Sequence, residues 1–305
     1  MVFVVGVLAA ALLGIGWVLQ QRVAVDAQSP DLLSWSLLRR LIGTAIWWAG
    51  IGAMAAGQSL SAWALQLGPV TLVEPLLVAC LLFAFVTSAA LTRHRVRWSE
   101  VAGTLLLAGA LAAFLTVADP QPSRHALPAS PAITIVVFAV TGVAALFVGA
   151  ARVVGRHAMG VECALLAVAA GAMYGLQDVA TRAAIVSVEH RRITDLVTLC
   201  WPYVVLGAAT VGVLLSQSAF RAGRLDYALP PTTTSQSLTG IALGVGLLGD
   251  RLTATSPGLA IESASLLAMI VAAALIGRSP ALARGARSSR RLLSARTSRQ
   301  VSSGA

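Results

Sequence analysis

Apolar residues in this chain come in long unbroken blocks, with polar residues collected into short breaks between them. Nine such blocks fall at about 2–20, 38–67, 69–91, 99–117, 132–150, 160–183, 195–219, 228–248 and 254–277. Their length matches the roughly 20 residues that cross a hydrocarbon core of about 30 Å as a helix. The pattern predicts an all-α polytopic membrane protein of about nine transmembrane helices. The second block is long because only Gly68-Pro69 separates it from the third, and proline is tolerated at a helix start. The longest predicted loop, DPQPSRHALPASP (Asp119–Pro131), has four prolines and divides the chain. Residues 1–150 then form a first group of five helices and residues 151–277 a second group of four. Residues 278–305 are rich in arginine and serine and predict a disordered cytoplasmic tail.

Composition sharpens this reading. Of 305 residues, 57% are hydrophobic and 11% charged, with a mean hydropathy of +0.83; about a quarter would be charged in a soluble domain. All 22 basic residues are arginine, and lysine and asparagine are absent. That bias points to a GC-rich bacterial genome. A net charge of +10 suggests nucleic acid at first sight, but the arginines gather in the breaks and the tail. Positive-inside topology and anionic lipid headgroups account for that placement, and no nucleic-acid partner is expected. Arginine bias across the nine blocks puts the C-terminus in the cytoplasm and the N-terminus outside a bacterial inner membrane. The run beginning at Val2 lacks a positive leader, so the first helix is expected to be retained. Cys80, Cys163 and Cys200 fall in apolar blocks without metal-ligand spacing, and read as small buried hydrophobes. No metal site, cofactor or enzyme is expected, since no hydrolase, zincin or nucleotide-binding motif is present. GVGLLG (Gly244–Gly249) fits a dinucleotide fingerprint in letters but lies in a membrane block, where close helix packing explains it.

A weak internal repeat runs through the blocks. GIGWVLQ (Gly14–Gln20) matches GAMYGLQ (Gly171–Gln177), pairing Trp17 with Tyr174 and Gln20 with Gln177. GQS at 57–59 matches SQS at 216–218, GPVTLVEP (Gly68–Pro75) faces LPPTTTSQ (Leu229–Gln236), and Ala102-Gly103 matches Pro257-Gly258. The offset is five blocks. An odd offset inverts the second copy in the membrane, an arrangement recurrent in secondary transporters.

QSLSAWALQLGPVTLVEPLL (Gln58–Leu77) resembles the first half of the drug/metabolite transporter superfamily, of the EamA type. QSAFRAGRLDYALPPTTTSQSL (Gln217–Leu238), followed by GVGLLGDRL with Asp250, resembles the second half. The chain is also similar to the magnesium-transporter-like branch named NIPA. The resemblance spans most of residues 1–277. It implies an inverted-repeat fold, here one helix short in the second repeat, and a transport function with either a small solute or a divalent cation as substrate.

Ionisable residues inside apolar blocks mark functional positions by default. Glu74, Asp178 and Glu262 all fall toward the predicted outer side, in one layer by depth. Each has a structural alternative: Asp178 can pair with Arg182 four residues on, Glu262 can be a hydrogen-bonded packing residue, and Glu74 can pack against a neighbouring helix. Pro75 removes an N–H from the helix and disfavours helical geometry at Glu74, leaving a polar notch. Gln58, Gln177, Gln217, Thr232, Gln236 and Tyr174, with Gln20, Gln21 and Thr71, are candidates to line a path with these acids. Trp17 and Tyr174 offer aromatic walls, or simple packing. The run TTTSQS (Thr232–Ser237) crosses hydrocarbon only if it faces protein or a cavity. The expected function is a secondary transporter of a small metabolite or drug-like solute working by alternating access. The alternatives are a divalent-cation transporter and a non-transporting membrane scaffold docking through its tail. The expected partners are the substrate and anionic lipids at the tail, with the protein a monomer or homodimer.

Overall fold

The computed structural model describes residues 1–26, 44–92, 98–117, 131–154, 159–189, 199–222, 225–250 and 256–277. The proline-rich loop, most of the arginine-bearing breaks, the start of the second and seventh predicted blocks, and the tail lie outside the described residues.

Among the described residues the regular structure is entirely helical. The helices are α1 (Val2–Asp26), α2 (Ala45–Leu67), α3 (Val70–Val78), α4 (Cys80–Thr92), α5 (Trp98–Val117), α6 (Pro131–Val154), α7 (Met159–Glu189), α8 (Trp201–Ala222), α9 (Leu225–Leu243) and α10 (Ser256–Gly277). Five stretches are long and apolar enough to cross a membrane: Val2–Gln20, Val70–Leu91, Thr134–Val154, Gly160–Ser187 and Trp201–Phe220.

Two of those five are internal. Val70–Leu91 and Gly160–Ser187 are each 78% buried, whereas Thr134–Val154 is only 11% buried. With the apolar residues of α6 turned outward, its surface suits lipid, which has no preference for polar groups. α3, α4 and α7 therefore form the centre, and the sequence explains why they can. Their close contacts are made at small residues. Gly14 on α1 lies against the Cys80 carbonyl at the α3–α4 junction, and Gly171 on α7 lies against the Thr232 carbonyl of α9. A Cβ at either position would collide with backbone, so only glycine permits these approaches.

Three local features of this centre have identifiable causes. Gly68 and Pro69 are extended (φ −151° and −69°) and turn the chain between α2 and α3. Contrary to the expected loss of helix at Glu74, α3 runs through Pro75 to Val78, and the chain departs from the α-helix at Ala79. There the Ala79 N–H donates to Leu76 O at 3.1 Å, a tightened turn four residues beyond the proline. At the far end of α9, Gly244–Leu248 widens into a π-helical turn that ends on Gly249 at φ 71°. Gly244 packs closely on Val70 and Thr71, as the close-packing reading expects, while Gly246 faces open space.

The packing pairs are α1 with α2 and with α3–α4, α7 with α8 and with α9, α3 with α9, and α5 with α10. α6 packs on α7, and α2 also touches α7.

Candidate functional site

A cavity of about 300 Å³ opens between α1–α4 and α7–α9. Its polar wall comes from Gln58 on α2, Tyr174 and Gln177 on α7, and Thr232, Thr233 and Gln236 on α9. Its apolar wall includes Leu13, Trp17, Met54, Leu77 and Val213. Among the described lining residues none is charged. The Trp17 and Tyr174 rings meet edge to face, with centroids 6.3 Å apart and planes at 73°. Tyr174 Oη is 2.9 Å from Ser216 Oγ, and Ser216 Oγ also donates to Gly212 O at 2.7 Å. That second bond leaves the phenol as donor, which fixes the ring at the cavity wall. Gln177 lines the cavity, while its Oε1 is buried without a hydrogen-bond partner among the described residues.

The polar run of α9 finds a partner for nearly every side chain. Thr232 Oγ1 donates to Ala228 O at 2.9 Å, and Thr233 Oγ1 to Leu229 O at 3.1 Å. This back-bonding lets hydroxyls sit in an apolar helix without leaving donors unmet. Ser235 Oγ reaches across to Val168 O on α7 at 2.9 Å. Gln236 Nε2 donates to Asp178 Oδ2 on α7 at 2.7 Å, and Ser237 Oγ to the backbone carbonyl of Glu74 on α3 at 3.1 Å. The run therefore fastens α9 to α7 on one side and to α3 on the other.

Behind this wall lie the two acids. Glu74 is completely buried and Asp178 nearly so, and their carboxyls are close enough to interact electrostatically. Neither Glu74 carboxyl oxygen has a hydrogen bond of good geometry among the described residues. The carboxyl lies against Gly240, where any larger residue would displace it. Glu74 does not line the cavity. It is separated from it by Gln236 and Ser237, of which Gln236 touches both the cavity and Asp178.

Of the residues expected to line a path, the structure brings together Gln58, Tyr174, Gln177, Thr232 and Gln236 at the cavity, with Glu74 and Asp178 behind it. Pro75 is buried within α3. Gln217 is exposed on α8, off the cavity. Glu262 is buried on α10, the partner of α5, and is not among the groups acting on Glu74 or Asp178. Gln20 donates to Trp47 O at 3.4 Å, the side chain of Gln21 lies outside the described residues, and Thr71 is buried off the cavity. Asp178 takes its hydrogen bond from Gln236 rather than from Arg182, whose guanidinium donates to Leu65 O and Gln66 O. Gln177 is interior to α7, which continues to Glu189, and does not end its helix. Cys200 is exposed, against the expectation of burial, while Cys80 is buried at the cavity. Sequence reasoning missed Gly240 and Ser216. A glycine or serine in an apolar helix gives no sign of which neighbour it touches.

These residues define a polytopic helical membrane protein with a cavity of mixed apolar and polar lining between two groups of helices. No protein-family model matches the chain, and no solved structure matches it. An uncharacterized protein of Corynebacterium glutamicum is 26% identical over 280 residues, covering 91% of this chain and 96% of its own length.

Proposed function

We propose that the protein is a secondary transporter of the drug/metabolite type, an inverted repeat that moves a small organic solute across a bacterial inner membrane by alternating access. The observation that supports this most is the cavity, which draws α1, α2 and α3–α4 from the first half and α7, α8 and α9 from the second. Solute sites at a repeat interface are the rule in such carriers. The packing pairs support the repeat. Exchanging α1 with α7, α2 with α8, α3–α4 with α9 and α5 with α10 maps α1–α2 onto α7–α8 and α1–α3/α4 onto α7–α9. It keeps α3–α9 and α5–α10, while the α6–α7 contact has no counterpart among the described residues. Trp17 and Tyr174, equivalent by the sequence repeat, touch each other, as residues beside a pseudo-twofold axis do.

The solute class follows from the wall. Amides, hydroxyls, a largely apolar lining and two aromatic side chains suit an uncharged or cationic amphipathic solute. An anion finds no charged partner among the described lining residues, and the acid pair lies just behind. Glu74 and Asp178 are the groups through which a coupling cation or proton acts on the cavity, by way of Gln236. The same pair is the one feature favouring the divalent-cation alternative, because Mg²⁺ accepts one or two carboxylates and keeps its waters.

Reconstituted vesicles loaded with a panel of uncharged, cationic and anionic metabolite-sized solutes test both readings. Counterflow of an uncharged or cationic solute, lost in Glu74→Gln, is the expected result. Flux of Mg²⁺ with no organic counterflow would select the alternative. Flux unchanged by Glu74→Gln would remove the role given to the carboxyl.

A further inference from the structure

On one side of the cavity, the second half of the chain grips two helix ends of the first. α2 ends at Leu67, and the carbonyls of a helix's last turn lack intrahelical donors. Arg182 of α7 supplies them, with Nη1 donating to Leu65 O at 2.6 Å and to Gln66 O at 3.2 Å. A cation at a helix C-terminus is also favoured by the helix dipole. Three residues later α3 begins, and its N-cap residue, Pro69, has no side chain able to cap it. Asp250, which follows the π-helical turn after α9, accepts from the Thr71 N–H at 3.4 Å and places a carboxylate at that N-terminus. The Gly68-Pro69 corner is thus held by opposite charges at its two shoulders. Both come from the other half, and both are buried (Arg182 8% exposed, Asp250 4%).

Three helices give the same position for this grip. Arg182 is five residues past Gln177 on α7, Leu65 seven past Gln58 on α2, and Thr71 six before Leu77 on α3. At 1.5 Å per residue, each spacing puts the grip about 7–11 Å beyond the cavity, toward the face where Val2 packs on Gly68. The acid pair lies between the two, since Asp178 and Glu74 fall within these spacings. Going toward the N-terminal face, the order is cavity, acids, grip.

We propose that Arg182 and Asp250 form a two-point latch that keeps the cavity closed on the face carrying the N-terminus, and that the structure is the state closed there. The proposal rests on the transporter reading. Two buried charged groups leave their partners at high cost in a dry interior, but at much lower cost once water enters. Opening on this face admits that water and hydrates both groups along with the freed helix ends. The latch is therefore stable when shut and tolerable when open, as a two-state element must be.

Thiol labelling tests it without a known solute. Cys80, Cys163 and Cys200 are replaced by alanine, Gln58→Cys places one thiol at the cavity, and a membrane-impermeant maleimide is applied to one face of oriented vesicles at a time. With the latch intact, labelling is expected from the face opposite the N-terminus and not from the N-terminal face. Adding Arg182→Met or Asp250→Asn should raise labelling from the N-terminal face by at least about tenfold. Arg182→Lys, which keeps the charge, should restore protection. Monodisperse elution and unchanged labelling from the opposite face show that each variant is folded. Labelling of the intact protein from the N-terminal face, or variants labelled only as the intact protein is, would overturn the latch while leaving the transporter reading in place. The absence of labelling from either face in every form would overturn both, because the cavity would then not be aqueous.

Discussion

Glu74 stands out in the sequence because a carboxyl and a proline interrupt an apolar run, and burial bears out that anomaly. The identity of its neighbours could not be read. Depth along a helix follows from counting residues, but the direction a side chain takes around the axis does not. Glu74, Asp178 and Glu262 were therefore expected in one layer, and only the first two converge. Gln217 fails for the same reason: it matches Gln58 by sequence yet is exposed on α8. Two carboxyls facing each other in a dry site are costly, so Glu74→Gln should raise thermal stability in detergent by about 0.5–2 kcal/mol while transport falls. A lower melting temperature would mean that the carboxyl serves the fold. Tyr174→Phe removes one hydrogen bond to Ser216, which keeps its own bond to Gly212 O. Calorimetry should record a loss of only about 0.5–1.5 kcal/mol.

At the scale of elements, helix content was legible because long apolar blocks leave few other solutions in a membrane. Breaks within helices were less so. Pro75 marks the disturbed helix, but the departure falls at Ala79, one turn beyond the proline. Gly14 and Gly171, matched in the sequence, each press on another helix, at the α3–α4 junction and on α9. The contacts there pair Cys80 with Thr232, not the residues that GPVTLVEP and LPPTTTSQ align. Short apolar words match easily in letters and fix register poorly. Gly171→Ala would drive a methyl group into the Thr232 carbonyl, and should cost about 1–3 kcal/mol in thermal unfolding. Gly246→Ala meets nothing within 4 Å and should stay within about 0.5 kcal/mol of the wild type. Equal losses at the two positions would contradict the close approach of α7 to α9.

The whole molecule combines an outward-facing apolar helix, α6, with a cavity between two helix groups and a pair of buried acids behind the cavity wall. The proposed function requires that solute pass through this cavity. Gln58→Trp fills the space with an indole from a half-buried position, leaving the acid pair, Arg182 and Asp250 as they are. The most direct measurement is solute counterflow in proteoliposomes, comparing this variant with the wild type at equal protein and with matched thermal unfolding. Wild-type counterflow that falls at least about tenfold in the folded Gln58→Trp protein is the predicted result, as expected for a solute that no longer fits its site. Counterflow that continues unchanged with the cavity filled would contradict the account.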